Sequence, residues 1–124
     1  MIVNIGKEEI AVSYIAVNYR KIKVGNGGDD TAASQTKLDS IITIIANDNT
    51  DGNELVKTVI PSVIGSELVW TVSFTGTELG TQGVAELGIF HSTSDKLLSR
   101  VTFANTGIVP STDTVTFTVR LEVN

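Results

Sequence analysis

Cysteine is absent from the 124 residues, histidine occurs once and proline only twice. Without cysteine there is no disulfide framework and no thiolate to bind a metal, so stability must come from packing. A single histidine, His91, excludes a multi-imidazole zinc centre. Charge is also sparse. Charged residues make up 19% of the chain, where about a quarter is usual. Fourteen acids against nine bases leave a net charge of −5, which argues against nucleic acid as the main partner, because phosphate binding needs clustered Lys and Arg. The one basic cluster, Arg20, Lys21 and Lys23, reads as a solvated strand edge. No run approaches the roughly eighteen apolar residues of a membrane-spanning helix. The stretch Met1–Ile5, followed by Gly6 and three charged residues, has neither the basic start nor the long apolar core of a signal peptide, so none is expected.

What the chain does have is alternation. From Asp113 to Asn124, Val115, Phe117, Val119, Leu121 and Val123 interleave with Thr114, Thr116, Thr118, Arg120 and Glu122. A period of two over this length predicts a strand with one buried face, and the β-branched content supports it. Glu67 to Thr75 repeats the pattern with Leu68, Trp70, Val72 and Phe74 on one side. Trp70, the only tryptophan, is the largest single burial on offer and is assigned to the core. Val84 to Phe90 and Leu97 to Phe103 flank the polar stretch His91–Lys96, which predicts a hairpin. A further strand is expected from Glu54 to Ile60, stopped by Pro61, since proline cannot donate to a ladder. The first third is less regular. Lys7 to Tyr14 reads as one or two helical turns, Ser13 to Val24 leans towards strand, and Thr36 to Ala46 fits either a short helix or a buried strand. No internal repeat or heptad run is visible. Together these elements predict one domain over residues 1–124, all-β. Its expected form is an antiparallel, jelly-roll-like β-sandwich with at most one or two short helices near its N-terminal third.

Candidates for chemistry are few. Gly25-Asn26-Gly27-Gly28-Asp29-Asp30 is glycine-rich, but no Gly-Lys-Ser/Thr follows and its two acids would repel phosphate. It reads as a turn. Asn47, Asn49, Asp51 and Gly52 match the early spacing of a calcium loop, yet the position that should hold a bidentate Glu is Thr58. A weak cation site over Asn47–Glu54 stands against an ordinary Asx-rich turn. No Gly-x-Ser-x-Gly elbow is present, and His91 lies in a polar turn. The adjacent acids Glu8-Glu9 and Asp29-Asp30 read as solvated rather than as an acid/base pair. No catalytic, metal or cofactor residues are therefore assigned, and the chain is expected to bind rather than catalyse.

Several segments carry a resemblance. Ile22-Lys23-Val24-Gly25-Asn26-Gly27-Gly28, followed by Ala32-Ala33-Ser34-Gln35-Thr36-Lys37-Leu38, is similar to the V-G-x-G … T-x-L opening of small virion proteins of tailed bacteriophages. Ala85-Glu86-Leu87-Gly88-Ile89-Phe90 resembles their E-x-G-[IL]-F strand, and Leu97-Leu98-Ser99-Arg100 the L-L-x-R that follows it. The order holds over about residues 20–103, although no Arg follows Thr36-Lys37-Leu38 where the family often has one. These proteins include capsid decoration proteins, head fibres, and tail-collar and tail-fibre proteins. The resemblance implies a virion component, but not where it sits; the location expected for this chain is the particle exterior, after synthesis in the host cytoplasm.

Within the resembling hairpin, Glu86 is placed to pair with Arg100, both half-buried, and Gly88 to mark a bulge or a close backbone approach. Thr114, Thr116 and Thr118 form an uncharged face able to meet neighbours. The expectation is a capsid decoration (cement) subunit that binds the major capsid protein or other virion proteins. Closed homo-oligomers are the default for such subunits, a trimer among them. A tail-collar, tail-fibre or adhesin module is the alternative, and a carbohydrate-binding β-sandwich a more distant one. No nucleic acid or membrane partner is expected.

Overall fold

The structure is a computed structural model and describes residues 4–27, 37–38, 40–42, 54–80 and 82–123. One helix, α1 (Asn4–Asn18), precedes seven strands: β1 (Lys21–Gly25), β2 (Val56–Thr58), β3 (Ser62–Ile64), β4 (Glu67–Thr75), β5 (Glu86–Phe90), β6 (Leu97–Thr102) and β7 (Thr114–Glu122). They form two antiparallel sheets, one ordered β2-β1-β5-β6 and the other β3-β4-β7. This is an all-β, sandwich-like fold.

The alternating segments become strands because each offers one continuous apolar face. Ile22 and Val24 of β1 and Leu87 and Ile89 of β5 supply one wall of the core. Leu68, Trp70, Val72 and Phe74 of β4 supply the other, all buried to within 3% exposure. Each such side chain contributes on the order of 2 kcal/mol relative to exposure. β4 and β7 pair without interruption over nine residues, Glu67 opposite Glu122 through Thr75 opposite Thr114. Leu79, Val84 and Val109, in the connections, complete the core.

α1 runs past both boundaries expected of it. The sequence pattern predicts one or two turns over Lys7–Tyr14 and a lean towards strand over Ser13–Val24, yet the helix continues to Asn18 and the strand begins only at Lys21. The reason is a helical stripe. Val12 is buried, and Ile15, Ala16 and Tyr19 pack against the same core, which is an i, i+3, i+4, i+7 pattern. Burial of that stripe outweighs the strand preference of Tyr, Ile and Val. The last turn is closed by side chains. Asn18 Nδ2 donates to the Tyr14 carbonyl and Arg20 Nε to the Ala16 carbonyl, each at 2.9 Å, satisfying acceptors that the helix leaves open. The Trp70 indole N–H donates to the Tyr19 carbonyl at 2.9 Å, fixing α1 to β4.

Two further expectations need correction. The strand expected over Glu54–Ile60 is only Val56–Thr58, and Pro61 is followed at once by the separate short strand β3. Lys23 is not on a solvated edge: β1 lies between β2 and β5, and Lys23 is 3% exposed. Its ammonium reaches Asp95 Oδ2 at 2.7 Å and sits 4.6 Å above the Phe90 ring centre. Neighbouring contacts thus replace the water that a charge normally requires. Of Thr36–Ala46, the described part includes Ile41, which bridges Gly25. Residues 36, 39 and 43–46 of that segment, residues 28–30 of the glycine-rich turn and all of Asn47–Glu54 except Glu54 lie outside the described residues.

Candidate interaction surface

Apart from the core residue Trp70, the residues singled out in the sequence fall into two separate places. Glu86, Gly88 and Arg100 lie on the outer face of the β1-β5-β6 sheet. Thr114, Thr116 and Thr118 lie on the outer face of the other sheet.

On the first sheet, residues directly opposite one another share a face, so Gly25, Glu86 and Thr102 align in one row and Lys23, Gly88 and Arg100 in the next. Glu86 Oε1 accepts from Arg100 Nε at 2.9 Å, with side-chain exposures of 0% and 2%. The pair is fully buried rather than half-buried. Glu86 Oε2 accepts from the backbone N–H of Gly27 and of Ser40, each at 2.8 Å. One carboxylate therefore joins β6 to both sides of the connection that leaves β1. A Cβ on Gly25 would lie 2.5 Å from Glu86 Oε2 and from the Ser40 carbonyl oxygen, so only glycine allows this approach. Gly88 makes room for the side chains that cover it. A Cβ there would sit 2.7 Å from Phe90 and 2.9 Å from Leu38. The strand irregularity itself falls one step further on, between Ile89 and Phe90. This cluster is a staple closed inside the chain, with its acceptors already engaged.

His91 is also accounted for by local structure. Its Nδ1 accepts from the N–H groups of Thr93 and Ser94, each at 3.1 Å, which leaves the ring proton on Nε2. Tyr19 meets the imidazole edge-on at 5.1 Å. The ring holds the β5–β6 turn, whose Asp95 takes a positive φ of 59° and whose carboxylate anchors Lys23. Among the described residues, no group of three or more His, Asp or Glu side chains is arranged to hold a metal ion.

The second place is open. β7 directs Thr114, Thr116, Thr118, Arg120 and Glu122 to solvent, and the intervening Val115, Phe117, Val119 and Leu121 are half-buried. Ser73 Oγ and Thr116 Oγ1 are 2.8 Å apart, and Arg120 pairs with Glu67 at 2.9 Å. Between that ion pair and the end of the strands the face carries hydroxyls and no charge. Trp70 lies beneath, at 0% exposure, and serves the core only.

Two features escaped sequence reasoning. Lys57 Nζ reaches the Ser73 carbonyl at 2.6 Å and Glu78 at 3.0 Å, tying β2 to β4 at the far flank. Glu78 and Thr75 exchange hydrogen bonds in the manner of a capping box, Thr75 N–H to Glu78 Oε1 at 2.9 Å and Glu78 N–H to Thr75 Oγ1 at 3.1 Å. The Thr75 N–H first, and then Lys57, hold the Glu78 carboxyl below its ordinary pKa. The second feature is an apolar stripe on the outward side of α1, where Ile10, Tyr14 and Val17 are 59%, 56% and 62% exposed. Their i, i+4, i+7 spacing is visible in the sequence once the helix is known to reach Asn18.

Compared with known protein families and with curated proteins, the chain matches none.

Proposed function

We propose that this chain is a structural subunit of a tailed-phage virion, a decoration subunit that attaches to the outside of the major capsid shell. The observation that carries the reading is where the resembling segments meet. Val24-Gly25 of β1, Glu86–Phe90 of β5 and Leu97–Arg100 of β6 are neighbours in one sheet. Glu86 joins all three segments through Arg100 and the Gly27 N–H. Motifs that are short and unspecific apart form one physical unit together. Two exposed surfaces suit attachment: the hydroxyl face of β4 and β7, and the apolar stripe of α1. Burying such surfaces across joints between shell subunits would hold a particle together without chemistry, since stable contacts need about 1,200–2,000 Å² in total.

Quantitative mass spectrometry of purified particles tests this reading. A decoration subunit is present at a copy number comparable with the major shell protein and is lost when the shell is stripped. A copy number comparable with the tail proteins moves the chain to the collar or fibre, and absence from particles removes the virion reading altogether.

A further inference from the structure

We propose that the free edge of β7 pairs with the same edge of a second copy, antiparallel about a two-fold axis through Thr118, joining two three-stranded sheets into one of six strands. This goes beyond attachment to a shell and does not depend on it.

The four sheet edges are not alike. β2 and β3 are three residues long, and β6 carries the irregularity opposite Ile89/Phe90. Short or bulged edges resist pairing with other chains. β7 is nine residues long, pairs with β4 without a register shift, and contains no Pro, Gly or Lys. Among the described residues no strand lies on its other side.

The backbone directions follow from two hydrogen bonds at the strand ends. The Val123 N–H donates to the Ser66 carbonyl at 2.9 Å, and the Gly76 N–H to the Asp113 carbonyl at 3.0 Å. Antiparallel pairs alternate between bonded and non-bonded, so the odd-numbered residues of β7 bond to β4. The N–H and C=O groups of Thr114, Thr116, Thr118, Arg120 and Glu122 face the free edge. A second copy must then match even residues with even residues.

One register uses all five. With Thr118 opposite its own copy, Thr116 faces Arg120 of the second copy and Thr114 faces Glu122, and no like charges meet. Centring the axis on Arg120 or Glu122 would oppose identical charges. On the inner face the same register sets Phe117 against Val119 and Val115 against Leu121, all four half-buried in the single chain. The strand is therefore complementary to itself in hydrogen bonding and in apolar contact, with no opposed like charges.

Sedimentation equilibrium and oxidative cross-linking test the proposal, because the native chain has no cysteine to interfere. Thr118→Cys should give a disulfide-linked dimer, since bonded antiparallel pairs place Cα atoms about 5.5 Å apart, within disulfide reach. Thr114→Cys should not, because its copies would lie about 27 Å apart at 3.4 Å per residue. Thr118→Pro removes an outward N–H and no bond to β4, so Trp70 fluorescence should stay native while self-association weakens at least about thirtyfold. If the unmodified chain is monomeric at about 1 mM, the proposal fails. It fails equally if both cysteine variants cross-link alike, or if Val17→Lys on α1 dissociates the dimer and Thr118→Pro does not. Loss of the native fluorescence in Thr118→Pro leaves the decision to the two cysteine variants.

Discussion

Replacing Glu86 by alanine removes a fully buried carboxylate. It takes away the ion pair that Glu86 makes with the Arg100 guanidinium, whose side chain is 2% exposed. It also frees the N–H groups of Gly27 and Ser40, but these lie nearer the surface, where water can replace the lost acceptor. Loss of the buried pair dominates, since removing one partner of such a pair costs about 3–5 kcal/mol. With a urea m-value of about 2 kcal/mol per M, the midpoint should fall by about 1.5–2.5 M. Buried Trp70 provides the fluorescence signal without a label. Arg100→Ala should cost a similar amount, and the double variant clearly less than the sum, because the pair between them is then lost only once; the expected coupling is about 2 kcal/mol or more. If each single substitution costs under about 1 kcal/mol, or the two costs simply add, Glu86 is not the staple described here.

Two further outcomes follow from the geometry. Gly76→Ala should be far more damaging than Gly88→Ala. A Cβ at Gly76 runs into the backbone carbonyls of Val109 and Pro110, whereas at Gly88 it meets the side chains of Phe90, Leu38 and Leu97, which can shift at a cost of about 1–3 kcal/mol. Thermal melts of both variants check the order, and equal losses would contradict it. The Glu78 bracket should make stability depend on acid. Its carboxyl is held below its ordinary value of 4.5, so its contribution is complete above that value and is lost as pH falls through the lowered pKa. Glu78→Gln should therefore flatten the decline in melting temperature below about pH 4.5, and an unchanged profile would show that the bracket carries no such linkage.

The sequence was most informative where one face of a strand is buried and the other is not. Glu67–Thr75 and Asp113–Asn124 alternate without interruption and became β4 and β7, because a one-residue slip would turn every apolar side chain to solvent. The β5–β6 hairpin was legible for a different reason, the polar turn from His91 to Lys96 between two apolar runs. β1 was harder. All of its residues but the first are buried, because Asp95 and Phe90 cover Lys23 and the Glu86 carboxylate and Ser40 crowd Gly25 on the outer face, and a strand buried on both sides loses its alternation. α1 was cut short for a third reason. Tyr, Ile and Val favour strands locally, and only contact with β3 and β4 reveals which helical stripe is buried. Of the surface, the threonine row was readable from its spacing. The freedom of the β7 edge was not, because strand order is a long-range property that no local pattern encodes.

Amide hydrogen exchange along β7 tests the account most directly, compared between the unmodified chain and Thr118→Pro. The odd-numbered amides, bonded to β4, should be protected in both. Those of Thr114, Thr116, Arg120 and Glu122 should be protected in the unmodified chain and exchange freely in the variant. Free exchange of these four in the assembled, unmodified protein would contradict the docking edge, and loss of protection in the odd set alongside them would contradict the sheet itself.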